Sequence, residues 1–294
     1  MSFFSLLTVF ALEHWRPLRS PLGIYQRFSR LAELLREKLD GGEPSHGLLA
    51  WVMAVLLPAV LTALVGYWLD EMWSLLAWAW SVLVLYATAG FKYYTLRAEE
   101  IAALLRAGDV QTAQTRLEQW RGSPAIDQTA QTIAAEAITR LFVHSLRQTF
   151  GVLCWFVVLG PAGAVLYRLS SVLARRFGSA SEGFRKIPER LFHILNWVPA
   201  RLAAMTYAIA GNFEDAMYCW RSHSSLWLEQ EEGVVLAAGA GAMGVRLGDD
   251  RIEIGLGDSP DADQIDSAVS MIWRGLMVWL IAGLLLTVSG WVNA

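Results

Sequence analysis

Residues 48–69 read LLAWVMAVLLPAVLTALVGYWL, and residues 72–91 read MWSLLAWAWSVLVLYATAGF. Neither run holds a charged side chain, and each is as long as the roughly 20 residues an α-helix needs to cross a bilayer. Only Asp70-Glu71 separates them, so the pair predicts two antiparallel membrane helices joined by a tight hairpin. Two further runs qualify, Thr149 to Tyr167 and Gly275 to Val292. The opening run, Met1 to Leu12, is too short to span and predicts a short apolar helix at the N-terminus. It has no basic leader and no small-residue cleavage site after Ala11, so a removable signal peptide is not expected.

Composition agrees. Of 294 residues 55% are hydrophobic and only 17% charged, with 14 tryptophans, a residue that gathers at membrane–water boundaries. Mean hydropathy is +0.37. The net charge of −3 supplies no field that would attract nucleic acid. Cys154 and Cys219 cannot build a disulfide framework, and neither has a neighbour at metal-ligand spacing, so both read as small buried hydrophobes. The expectation is an all-α, multi-pass membrane protein forming one membrane domain over 1–294. Its membrane helices are placed at 48–69, 72–91, 149–167 and 275–292. Helical, membrane-associated segments are expected at 92–148 and 170–270.

Loop charge gives the orientation. Arginines and lysines crowd residues 16–38 and 92–147, which places both segments in the cytoplasm and Asp70-Glu71 outside. A further crossing at 149–167 would then export Arg168, Arg175, Arg176, Arg185 and Lys186. Gly160-Pro161-Ala162-Gly163 interrupts that run in its middle. A segment that re-enters and returns to the cytoplasmic side resolves the conflict, provided protein shields it. No alternating strand pattern is read anywhere, and Gly248 to Asp266 reads as an acidic, solvated linker.

Two helical faces carry ionisable groups. Glu136, Arg140, His144 and Arg147 follow at spacings of 4, 4 and 3 and share one face, a basic stripe suited to an anion. The bland alternative is arginines reaching lipid headgroups beside a Glu136–Arg140 pair. Arg190, His193, Trp197 and Arg201 form a second stripe, with Asn196 one step aside. Ionisable groups on apolar helices are costly unless paired or facing a cavity, so this stripe reads as a polar pocket or a structural network. Gly239-Ala240-Gly241-Ala242-Met243-Gly244 matches G-x-G-x-x-G formally, yet no strand precedes it and no helix opens from it. Close packing by small residues explains it better than a dinucleotide loop.

Three stretches together carry a family likeness: Gly160 to Arg168 (GPAGAVLYR), Leu195 to Leu202 (LNWVPARL) and Gly241 to Gly248 (GAMGVRLG). In this order they resemble the CobD/CbiB–AmpE family of bacterial inner-membrane proteins over roughly residues 90 to 250. The resemblance implies one of two activities. The CobD/CbiB branch is thought to join an aminopropanol unit, or its phosphate, to adenosylcobyric acid with ATP and Mg²⁺ during cobalamin synthesis. The AmpE branch comprises membrane regulators associated with β-lactamase induction and cell-wall signalling. Positions matching acidic motifs of the first branch read Val143-His144, Arg147, Ser171, Ala174 and Phe192-His193 here. Glu13-His14-Trp15-Arg16-Pro17 stands in the region of an early aspartate-proline and histidine-proline signature.

With those carboxylates gone, the sequence points to an AmpE-like, non-catalytic sensor of the inner membrane, without cofactor or metal. It would hold a small anionic ligand or cell-wall fragment through Arg140, His144, Arg147, Arg168, Arg190, His193, Asn196, Trp197 and Arg201. The alternative is a CobD/CbiB-type enzyme using ATP and Mg²⁺, its carboxylates moved to Glu136, Glu189, Glu214 and Asp215.

Overall fold

A computed structural model describes residues 2–15, 22–124, 128–249 and 252–290. In chain order the helices are α1 (Ser2–Trp15), α2 (Leu22–Leu39), α3 (Pro44–Met72), α4 (Ser74–Thr88), α5 (Phe91–Arg106), α6 (Val110–Arg121) and α7 (Ala130–Ser145). They continue as α8 (Gly151–Arg176), α9 (Glu182–Ala210), α10 (Phe213–His223), α11 (Gln230–Met243) and α12 (Ala262–Val288). The fold is all-α apart from one small hairpin, β1 (Arg246–Asp249) with β2 (Ile252–Gly255). Among the described residues, four stretches are long and apolar enough to cross a membrane: Pro44–Met72, Ser74–Arg106, Ala130–Ser179 and Ala262–Leu285.

The chain divides into two compact units. The first comprises Met1–Gly90, Arg147–Pro199 and Ala282–Ala294, the second Phe91–Leu146 and Ala200–Ile281.

In the first unit, α3 and α4 form the expected hairpin, reversed at Trp73, whose backbone is extended. Pro58 has no amide to bond the carbonyl of residue 54, and a wide π-turn over Val52–Leu56 absorbs the mismatch. Leu57, Val60, Leu61 and Leu64 remain exposed, as a lipid-facing helix requires. A core of Phe28, Trp51, Leu173, Phe177 and Phe184 joins α2, α3, α8 and α9.

The run at 149–167 does not cross as one rod. Gly160 has φ 64° and ψ −151°, a conformation open essentially to glycine alone, and it splits α8 into two arms. Pro161 starts the second arm, where its missing N–H costs no bond. The arms then fold back on each other. A methyl group on Gly151 would lie 2.0 Å from the Tyr167 ring, and one on Gly163 would lie 2.1 Å from the Trp155 carbonyl oxygen. The segment is a helical hairpin that turns at Gly160.

The second unit packs α5, α6 and α7 with α10, α11 and the β-hairpin. Residues 231–242 of α11 are buried all round. A methyl group at Gly239 would meet the Phe142 ring at 2.8 Å, and one at Gly241 would meet the Asp215 carbonyl oxygen at 2.4 Å. The glycine-rich run is thus a helix others press against. The β-hairpin corrects the reading of a solvated linker. Leu247 and Ile254 are buried while Arg246 and Glu253 face out and pair at 3.4 Å, the period-2 alternation of a strand on only four residues a side.

Candidate functional site

Polar side chains collect where the helical hairpin of the first unit meets the first half of α9. Pro199 cannot donate to the carbonyl of Leu195, and Trp155 from the first hairpin arm fills the gap, its Nε1 donating at 2.9 Å. One residue on, Asn196 is 2% exposed, and its Oδ1 accepts from the Tyr167 hydroxyl at 2.7 Å. The asparagine-tryptophan-x-proline element therefore docks α9 against both arms of the hairpin.

Two arginines share this interior. Arg147 and Arg168 are each 4% exposed, and an Arg168 Nη1 donates to the Arg147 carbonyl at 3.4 Å. The Arg147 guanidinium lies 5.3 Å from the Phe192 ring centroid, and the Tyr167 ring lies 5.8 Å from that same ring. Gln148 and Thr149 are buried on the turn that carries Arg147. Ser170 and Ser171 follow Arg168 by two and three residues. Their buried hydroxyls find no hydrogen-bond partner among the described residues, which leaves two donor-acceptor groups for a ligand or water. At the hairpin tip a cleft of about 440 Å³ opens, lined by Thr62, Gly66, Asp70, Trp78, Ser81 and Pro161 among others.

The residues singled out from sequence are distributed as follows. Arg147, Arg168 and Asn196 are brought together in the buried assembly of the first unit. Arg190, His193 and Trp197 lie in the same unit on the exposed face of α9, Trp197 at 49%. Arg140, His144 and Arg201 belong to the second unit. There Arg140 pairs with Glu136 at 3.0 Å, while the His144 ring lies nearly parallel to Trp120 (5.6 Å) and Tyr94 (6.2 Å). Arg201 is partly exposed.

Of the four carboxylates of the alternative, Glu136, Glu189 and Asp215 are engaged by neighbouring side chains. Glu136 also meets Arg121, and Glu189 pairs with Arg185 at 3.5 Å. Glu214 and Asp215 sit in the first turn of α10, their amides bonded to the capping Asn212 side chain. Among the described residues Glu13 is buried in the first unit, and sequence reasoning overlooked Glu231 and Glu232, buried in the second. Trp227 donates its Nε1 to Glu232 at 3.4 Å. The available signal was an acidic pair opening a helix with no polar face. Tyr207 was missed as well. Ser145 gives its proton to the Phe142 carbonyl at 2.6 Å, so the Tyr207 hydroxyl donates to Ser145. Burial and the nearby Asp215 charge likewise raise the Cys219 thiol, which keeps it protonated and inert. Among the described residues no three Asp, Glu, His or Cys side chains converge as a metal site would require.

A family model described as CobD/Cbib protein matches residues 9–289. The chain belongs to this family. It is 35% identical over 285 residues to the cobalamin biosynthesis protein CobD of Stutzerimonas stutzeri, covering 91% of each chain. It is 33% identical to the protein of that name from Chromobacterium violaceum, covering 67% of each. A probable cobalamin biosynthesis protein CobD of Methanothrix thermoacetophila is 28% identical, with 74% of this chain and 73% of the relative covered. No solved structure matches.

These relatives overturn the AmpE-like reading, and with it the non-catalytic regulator of β-lactamase induction. The family match and the curated relatives belong to the cobalamin branch, and nothing among them points to AmpE. The sequence argument failed at a physical step. It took missing carboxylates at a few positions for the loss of acidic groups from the interior, whereas Glu13, Glu231 and Glu232 are buried elsewhere.

Proposed function

We propose that this membrane protein works in cobalamin biosynthesis, joining an aminopropanol unit or its phosphate to adenosylcobyric acid in an ATP-dependent amide-forming step. Similarity to the Stutzerimonas stutzeri relative over 91% of both chains carries the reading. The buried assembly around Asn196 supports it from the side of chemistry. Arg147 and Arg168 bring positive charge suited to carboxylate or phosphate oxygens, and Ser170 and Ser171 bring hydroxyls able to orient them. The described residues do not fit a resident metal centre, so Mg²⁺ belongs to the nucleotide in this reading, and no step is assigned through it. The bacterial inner membrane is the proposed location, where cytoplasmic ATP reaches the positively charged segments.

The test is complementation of a bacterium lacking its own family member, together with amide formation by the purified protein given adenosylcobyric acid, aminopropanol and Mg-ATP. Wild-type protein should restore growth without added cobalamin, and Asn196→Ala and Ser171→Ala should lower product formation. Membrane-inserted protein that neither rescues growth nor yields product with either amine would refute the assignment.

A further inference from the structure

The second unit contains a stretch of helix whose amphipathicity is inverted. Along residues 200–210 of α9 the inward positions are small, with Ala200, Ala203, Ala204 and Ala208 fully buried. The large apolar side chains Leu202, Met205 and Ile209, at spacings of 3 and 4, face outward at 45%, 38% and 58% exposure. A helix in water buries its large apolar residues; one in lipid packs through small residues and turns the large ones out. Hydropathy alone does not select this helix as a span, because Arg185, Lys186, Glu189, Arg190 and Arg201 lie along it.

A second observation fixes the medium. Thr206, on the same turns as the stripe, accepts a hydrogen bond at 2.9 Å from the Trp279 Nε1 of α12, inside one of the apolar membrane stretches. On that part of α12, Met277 and Ile281 are themselves exposed, at 51% and 59%. The bond puts Leu202, Met205 and Ile209 beside a helix already facing lipid. We infer that residues 200–210 form a further lipid-contact surface and that the occupant of the stripe is bilayer acyl chains. The residues carrying the helix away from Asn196 are thus anchored in the membrane directly.

Single cysteines at 202, 205 and 209, labelled with an environment-sensitive fluorophore in the full-length protein, test this in phosphatidylcholine–phosphatidylglycerol vesicles. Ile281→Cys serves as the membrane reference and Gln111→Cys, exposed on α6, as the aqueous one. The parent protein, with both cysteines buried, is the blank. The three sites should show blue-shifted emission lost to brominated lipid, matching residue 281, with little loss to aqueous iodide. Iodide quenching like that at residue 111 would overturn the inference by placing the stripe in water. Disulfide crosslinking between copies without lipid quenching would overturn it by assigning the stripe to a second copy of the chain. Because the three variants alter exposed positions separately, failure of one to fold leaves two readings.

Discussion

At the scale of single residues, the assembly in the first unit rests on Pro199 and Asn196. A proline within a helix forfeits a bond, and here the carbonyl it frees is the acceptor that fixes Trp155. Asn196 completes the contact through the Tyr167 hydroxyl, so Asn196→Ala leaves a buried phenol without its acceptor. The expected loss is about 1–3 kcal/mol in chemical unfolding of the detergent-solubilised protein. Trp197→Ala, next in sequence but exposed, should change stability far less in the same measurement. This contrast also shows what the sequence made legible. Spacing of three and four identified that Arg190, His193, Trp197 and Arg201 share a face. It held no information on whether that face points inward, and the buried position is the one beside it. Arg147 and Arg168 were visible as charges in apolar runs, whereas Tyr167, Ser170 and Ser171 carry no charge to betray them.

At the scale of elements, the helical hairpin of α8 depends on one backbone conformation. Gly160→Ala places a Cβ where φ is +64°, a strain of about 1–3 kcal/mol, and should lower the unfolding midpoint accordingly. Glycine followed by proline announced the break. How tightly the arms approach, through Gly151 and Gly163, followed only from the packed structure. The loop before α3 is tied to the start of α9 by Asp40, whose carboxylate accepts from the backbone amide and hydroxyl of Ser181. Those bonds hold its pKa below the ordinary aspartate value. A depressed carboxylate stabilises the fold above its unfolded pKa and ceases to do so as pH falls through the folded one. Titrating stability downward from about pH 4 should therefore show an acid-side loss in the native protein that Asp40→Asn lacks. The β-hairpin was illegible because four-residue strands give alternation too little length to stand out from a charged loop.

At the scale of the molecule, the start of α9, just beyond the second arm of the hairpin, meets the loop before α3 and its first turn. A methyl group on Gly183 would lie 1.9 Å from the Gly42 carbonyl oxygen, and one on Gly47 2.0 Å from that of Phe184, the carbonyl Pro188 leaves free. Cysteines at Glu43 and Ser179 should accordingly react with an impermeant maleimide from one side of the membrane, and a cysteine at Asp70 from the other. Labelling of 179 together with 70 would mean a full crossing. Hydropathy sufficed to find four apolar stretches long enough to cross a membrane, but the division into two units was not visible, since each unit is built from separated pieces of chain. That interleaving has a consequence for biosynthesis. When the ribosome has delivered α5 to α7, their partners among α10, α11 and the β-hairpin have not been made, and the hairpin of α8 is made first. At bacterial elongation speeds the wait is on the order of ten seconds, during which Phe142 and its neighbours lack the α11 surface that later covers them. Assembly of this protein in the cell is then timed by translation, and slowing the ribosome over residues 147–199 should raise the share of nascent chains captured by insertases and proteases.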